Sequence, residues 1–300
     1  MLTRIGVICL AAFFIVSPAS MGGKRDASIT VLTSFDYPGT STATFPAEIN
    51  DRGDIAGSFS DSDGLQRGFV RFANGRFTPP IVPPFTVGDF TGADDINDSR
   101  TICGFFYEPD GVTVHGYFIS QGVFTQFDIE GAIYTAVVAL NDLGDFTGTF
   151  ENDSSGSSGY VDVSGNLSLF TVPGAAFTNA NSINNLDEVA GNYRIGTETT
   201  NHGFFRKASG DLIYPIDFPG ALGSLGTIVS GMNDRGWLVG RYYDSNSIDH
   251  GFLFKPPTTF LSFDYPQAVS TRFTGINNRG LVCGEYQDLV ARHGFIARVQ

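Results

Sequence analysis

The sequence predicts an all-β fold: a six-bladed β-propeller of four-stranded blades. Three observations predict it. A short pattern returns six times, anchored at Ile49-Asn50-Asp51, Ile96-Asn97-Asp98, Leu140-Asn141-Asp142, Ile183-Asn184-Asn185, Met232-Asn233-Asp234 and Ile276-Asn277-Asn278, with steps of 47, 44, 43, 49 and 44 residues between the asparagines. A period in the forties with several strands per unit is a propeller signature. The chain carries 37 glycines, as many short strands joined by tight turns require. Helical periodicity and interdomain linkers are both missing, so residues 20–300 read as one domain.

One repeat explains each element. The first strand ends at the anchor, as in Thr274-Gly275-Ile276-Asn277, and the Asn-Asp-x-Gly set makes a tight turn because these residues tolerate positive φ. A short second strand follows, such as Asp54 to Phe59, and then a polar acidic loop such as Asp61-Ser62-Asp63-Gly64. The third strand begins at His-Gly-Phe and is apolar on both faces, as in Phe252-Leu253-Phe254. Strands buried on both sides lose the alternation of a one-sided sheet, which fits blades stacked face to face and not a sandwich. Two-residue turns end it at Asn74-Gly75, Gln121-Gly122, Ser164-Gly165 and Ser209-Gly210, with Pro256-Pro257 in the fifth copy. Gly75 is expected at positive φ in a type I′ turn. The fourth strand leads into an Asp, as at Asp217 before Phe218-Pro219-Gly220.

The chain ends bear on closure. Ser34 to Gly39 reads as a fourth strand with no partner in its own repeat, whereas the last copy stops after its third strand at Arg298-Val299-Gln300. The N-terminal strand is therefore expected to complete the last blade. Counting outward from the turns makes His115 and Asp128, His202 and Asp217, and His250 and Asp264 cross-strand neighbours. The same rule leaves His293 and Asp36 unpaired unless the ends meet. The first and third copies carry neither member, with Arg67 opposite Val82 and Ser158 opposite Thr171.

The first residues differ in kind. Arg4, an apolar run from Ile5 to Val16, and Ser17-Pro18-Ala19-Ser20 make a secretory signal with cleavage expected after Ala19, and the protein is expected outside the cell or in a periplasm. The run is too short to span a bilayer, for which about 20 residues are needed. Cys9 lies within this segment. The remaining Cys103 and Cys283 occupy the same repeat slot, before the Gly of the second strand. Equivalent slots are related by rotation and lie far apart, so both are expected as buried free thiols. A net charge of −13 argues against nucleic-acid or anionic-membrane binding and serves solubility.

The His-Gly-Phe core, at His115-Gly116-Tyr117, His202-Gly203-Phe204, His250-Gly251-Phe252 and His293-Gly294-Phe295, resembles that of the HAF family of extracellular repeat proteins. Arg67-Gly68-Phe69 and Ser158-Gly159-Tyr160 depart from it. The resemblance covers nearly all of the chain after the signal. It implies bacterial export and a repeat fold, and no activity.

Candidate chemistry is sparse. All four histidines share one repeat slot, which marks scaffold and not a catalytic residue or a metal set, since ligands of one metal must converge. Asp61 and Asp63 resemble the start of a calcium loop, but the later bidentate carboxylate is missing, so a solvated acidic loop is the plainer reading and no cofactor is expected. Arg52-Gly53-Asp54 spells an adhesion tripeptide but belongs to the repeated turn. Nucleophile elbows and phosphate or dinucleotide loops are absent, and the 31 acidic residues single out no catalytic pair. The function expected is a secreted, monomeric, non-catalytic binding or scaffold protein. It would meet an extracellular carbohydrate or protein through the face carrying the loops between strands two and three and between successive blades. The alternatives are a propeller enzyme, a metal-assisted hydrolase or lyase on carbohydrate, and a cell-surface module. Carboxylates converging at the mouth of the central channel would mark the enzyme.

Overall fold

Twenty-three strands and no helix make up the residues described by the computed structural model, which are 28–40, 42–84, 91–152, 156–222 and 225–300. The expected signal, with Cys9 and the Ala19 cleavage site, lies outside them. In chain order, β1 (Ile29–Phe35) precedes the first anchor. The first repeat holds β2 (Thr44–Ile49), β3 (Ile55–Ser60) and β4 (Gln66–Arg71). The second holds β5 (Asp95–Ile96), β6 (Ile102–Tyr107), β7 (Val114–Ser120) and β8 (Val123–Phe127). The third holds β9 (Tyr134–Leu140), β10 (Phe146–Glu151), β11 (Ser158–Val163) and β12 (Asn166–Phe170). The fourth holds β13 (Ala175–Ile183), β14 (Val189–Ile195), β15 (His202–Arg206) and β16 (Leu212–Ile216). The fifth holds β17 (Thr227–Met232), β18 (Leu238–Tyr243), β19 (Asp249–Lys255) and β20 (Thr259–Phe263). The sixth holds β21 (Ser270–Ile276), β22 (Leu281–Gln287) and β23 (Arg292–Val299).

Hydrogen bonds do not divide these strands into six separate four-stranded sheets. The fourth and fifth repeats each form an antiparallel sheet in chain order. The sheet of the sixth runs β21-β22-β23-β1, with β1 antiparallel to β23 from Ile29 opposite Val299 to Phe35 opposite Gly294. The second and third repeats share one eight-stranded sheet, joined by a single parallel bridge between Val114 and Tyr134. The first has three strands, and two isolated bridges, Arg71 to Phe77 and Gly68 to Ile81, stand where its fourth was expected. Pro79, Pro80, Pro83 and Pro84 explain the loss, because proline has no N–H for the ladder.

Sheets pack face to face, and the core lies between successive repeats. Ala56 and Val70 meet Ala93 and Ile96 across one such boundary, and Val239 and Leu253 meet Phe273 and Ile276 across another. Ile49 and Ile55 pack with Leu281, Cys283 and Ile296, so the first repeat touches the last. The aromatic residue of each core motif (Phe69, Tyr117, Tyr160, Phe204, Phe252, Phe295) is completely buried. Each such burial is worth about 1.5–3 kcal/mol. These rings explain the second-strand glycine. A Cβ at Gly240 would collide with the Ile228 carbonyl and come within 3.0 Å of the Phe252 ring, and Gly57, Gly104, Gly148, Gly191 and Gly284 meet the same pair of obstacles.

The turns divide into two kinds. Gln121 and Gly122 (φ 52° and 80°) and Ser164 and Gly165 (φ 53° and 79°) have positive φ at both positions, as type I′ requires. Gly75 has φ 86° but Asn74 does not share the left-handed region, and Phe72 N–H donates to Arg76 O across a three-residue loop. That is a type I turn with a glycine bulge, in place of the type I′ turn expected there, and Gly210 repeats it.

Cys103 and Cys283 are free and fully buried, and burial pushes both thiols up. Both are expected to resist thiol reagents in the folded protein and to react once urea unfolds it. A Cys103–Cys283 crosslink in the mass spectrum would overturn this register.

Candidate functional site

The anchor asparagines close a ring. Asn50 Nδ2 donates to Asn97 O at 3.0 Å, Asn97 to Asn141 O at 3.1 Å, Asn141 to Asn184 O at 3.1 Å and Asn184 to Asn233 O at 3.5 Å. Asn233 then donates to Asn277 O at 3.2 Å and Asn277 back to Asn50 O at 2.8 Å. Each Oδ1 meanwhile accepts backbone N–H groups of its own turn, as Asn277 does from Arg279 and Leu281. A second series lies one residue on: Asp98 N–H donates to Asp142, Asp142 N–H to Asn185, Asn185 N–H to Asp234, Asp234 N–H to Asn278 and Asn278 N–H to Asp51, all at 2.7–2.9 Å, while Arg52 N–H donates to Asp98 at 3.1 Å. Only a cavity of about 70 Å³ remains on the axis here. This end is a clasp, built because the short Asn amide supplies both an acceptor for its own turn and a donor for the neighbour.

A larger cavity lies toward the opposite end. About 540 Å³ in volume, it is lined by residues of every repeat: Asp94, just before β5, and, from the inner strands of the other five, Glu48, Val138, Asn179 and Asn181, Ile228 and Ser230, and Thr274. Asn192, Arg194, Asn201 and Arg241 complete it from the ends of second strands and the start of a third. Its amides form a relay: Asn181 Nδ2 donates to Asn192 Oδ1 at 2.8 Å, Asn192 Nδ2 to Asn201 Oδ1 at 2.9 Å and Asn201 Nδ2 to Leu225 O at 3.1 Å. Arg194 lies over the Phe177 ring at 4.2 Å, and Arg241 Nε donates to the Tyr243 hydroxyl at 3.2 Å.

Glu48 and Asp94 line this cavity, and Asp95 lines the small cavity on the clasp side, which Glu48 also reaches. Glu48 accepts the N–H of Ile49, and Asp95 accepts those of Ile96 and Leu140. Asp94 Oδ2 is buried without a hydrogen-bond partner among the described residues. Burial holds all three well above the usual carboxylate range, with the charge of Asp95 adding to the effect on Glu48 and Asp94, and Asp94 is pushed up to about 8. Glu48 lies against Gly231 and Gly275, where a Cβ would crowd or strike its carboxyl group.

These residues were missed in the sequence, although a signal existed. The position before the Ile-Asn anchor is Ala139, Ser182, Gly231 and Gly275 in four repeats, and Glu48 and Asp95 in the other two. Two acids at an otherwise small slot facing the axis are departures from the repeat.

Protonated Asp94 sets a pH dependence. The unfolded carboxyl ionises near about 3.9. The folded one keeps its proton to about pH 8, so between those values the native state binds more protons and stability falls as pH rises. Asp94→Asn should stabilise the protein at pH 8 by about 1 kcal/mol or more and flatten the slope between pH 4 and 8. Urea unfolding at three pH values checks it, and an unchanged slope would remove Asp94 from this role.

The histidines stand elsewhere, at the beginnings of third strands. Nδ1 of His115, His202, His250 and His293 lies 2.7, 2.8, 2.7 and 2.9 Å from a carboxylate oxygen of Asp128, Asp217, Asp264 and Asp36. In three copies a second acid from the acidic loop approaches Nε2, namely Glu108, Asp244 and Asp288 at 3.2, 3.7 and 3.3 Å. In the first copy Arg67 replaces the histidine and sits 3.6 Å from Asp61. Asp61 Oδ1 also accepts the N–H groups of Asp63 and Leu65. A carboxylate capped by two backbone donors and facing a guanidinium is a poor calcium ligand, and Asp63 adds only an exposed carboxyl group. No set of three or more metal-ligating side chains that could hold an ion occurs among the described residues, and no helix there is long and apolar enough to cross a membrane.

No protein-family model and no curated protein sequence matches the chain. Solved structures do. TolB from Acinetobacter baumannii superposes with a TM-score of 0.55 at 12% identity, covering 82% of this chain and 65% of the TolB chain. Aleuria aurantia lectin, a point mutant in complex with Fucα1-6GlcNAc, gives 0.53 at 9% identity, over 89% of this chain and 96% of the lectin. The chain thus spans less than two thirds of the TolB structure it matches. At such identities the likeness defines the fold alone: the protein is a β-propeller.

Proposed function

We propose that this chain is an exported, six-bladed β-propeller of the HAF type that binds a small polar ligand, of the carbohydrate class, in its axial cavity. The six-membered asparagine ring supports the blade count, since each blade contributes one link. On that count β1 completes the sixth blade and closes the ring. The observation that carries the function is the cavity itself. All six repeats contribute to about 540 Å³ of space lined by amides, hydroxyls, carboxyls and guanidiniums. That volume lies within the range of small-ligand pockets, about 300–1,000 Å³. Amide and hydroxyl groups offer donors and acceptors together, as a polyhydroxylated ligand requires. The cavity opens on the side where second strands end and third strands begin, the face expected to carry specificity. The experiment is calorimetry against a panel of neutral and acidic oligosaccharides. Filling the cavity with Ser230→Trp should abolish binding while the circular-dichroism spectrum stays that of the parent. Undiminished binding by that variant would move the ligand site elsewhere.

Glu48 and Asp94 in the cavity, with the charge of Asp95 acting on both, favour a second reading, an enzyme acting on carbohydrate. Glycoside hydrolysis takes two carboxylates flanking the scissile bond. Here Glu48 and Asp95 are engaged by backbone N–H groups, which leaves Asp94 as a single acid with no base opposite it. Binding is therefore the reading adopted. Time-dependent release of reducing ends from a bound oligosaccharide, lost in Asp94→Asn, would replace it with the enzyme.

A further inference from the structure

The cavity is polarised across the axis. Glu48 and Asp94 come from the first and second repeats, Arg194 and Arg241 from the fourth and fifth. In the six-membered ring of anchors, the fourth member stands opposite the first and the fifth opposite the second. One wall thus carries carboxyl groups and the facing wall guanidiniums.

The guanidiniums lack an internal counter-charge. Arg67, Arg100, Arg272 and Arg292 each pair with a carboxylate. Arg194 and Arg241 form no ion pair among the described residues, although the chain has a net charge of −13 and carboxylates are plentiful. Two half-buried cations line one cavity wall, held by a ring contact and a single hydroxyl, and so retain N–H donors for whatever fills the space. Arginine binds a planar carboxylate in two-pronged fashion and is the residue suited to it.

We infer that the axial cavity takes an acidic carbohydrate, a sugar bearing a carboxylate, with that carboxylate on Arg194 and Arg241 and its hydroxyl groups on Asn181, Asn192 and the opposite wall. Asp94 keeps its proton to about pH 8, so it meets this ligand as a neutral hydrogen-bond donor and not as a second negative charge. The inference rests on the axial cavity being the ligand site.

The test uses the full chain and calorimetry at pH 7 with short oligouronates (galacturonate, glucuronate, mannuronate and guluronate) and the methyl ester of each. Esterification removes the charge and leaves the ring hydroxyls. At least one free acid should bind tenfold or more tighter than its ester, with affinity falling as salt is raised. Arg194→Gln and Arg241→Gln should bring acid and ester to within about threefold of each other, as loss of a charge-assisted contact requires. Equal affinity for acid and ester, insensitive to both variants but lost in Ser230→Trp, would overturn the acidic class and keep the cavity as the site. Binding of neither form would overturn the inference and the carbohydrate reading together.

Discussion

Deleting residues 28–40 should abolish cooperative unfolding of the full-length protein or lower its Tm by tens of degrees. The segment supplies β1, which hydrogen-bonds along β23, and Gln300 N–H donates to Ser28 O at its far end. Phe35 packs against the cluster of Ile49, Ile55, Leu281, Cys283 and Ile296 at the boundary between first and last repeats. Tyr37 stacks on Phe59 at 3.7 Å and donates its hydroxyl to Thr78 O. Loss of the segment would expose β23 as an unpaired edge and open an apolar seam. A finer version isolates one contact. His293 lies 2.9 Å from Asp36, whose side chain is about half exposed, so a double-mutant cycle of His293→Ala with Asp36→Ala should give a coupling of about 0.5–1 kcal/mol. A deletion variant that melts like the parent would show that β1 is dispensable, and additive single effects would remove the pair from the account.

Asn277→Ala should be a damaging substitution at the clasp, costing about 1–3 kcal/mol. It strands the buried N–H of Leu281, frees that of Arg279 to solvent and leaves the Asn50 carbonyl with the Gly53 N–H alone. Asn277→Asp separates the two jobs. Its carboxylate still accepts both turn N–H groups, but it replaces the donor to Asn50 O with a negatively charged acceptor. Asp should therefore retain the turn and lose the link, with a cost that falls when acid protonates it. Chemical denaturation at pH 4 and pH 7 measures both variants. Equal stability of Asn277→Asp and the parent at pH 7 would mean that the link between repeats carries no weight.

Much of the fold was legible because repetition is a property of sequence. The anchors, the core motifs and the His–Asp spacings are local patterns that recur, and strand pairing follows from counting outward from turns. What was illegible arose where one copy departs from the rest. The first repeat lost its fourth strand to four prolines, and Gly75 and Gly210 sit in bulged turns of one extra residue that dipeptide spelling does not distinguish from type I′. The axial cavity was hidden for another reason. Its wall draws residues from all six repeats, from Pro46 to Thr274, so no single repeat displays it. Glu48 and Asp95 were visible only as exceptions at a small-residue slot, which gains meaning once that slot is known to face the axis.

The asparagine circuit also bears on how a ligand would be received. All six amide links point the same way round, so each donor belongs to a residue whose carbonyl accepts the link before it, and every repeat is tied to both its neighbours. The floor of the cavity is tied to this belt through Glu48, whose neighbour Ile49 leads directly into Asn50. Little freedom remains there to be lost on association, so the entropic penalty of ordering falls on the guest and on the rim side chains. On the binding reading proposed above, recognition would be of the lock-and-key kind, with selectivity written into the shape of the bottom and adaptability confined to the upper edge.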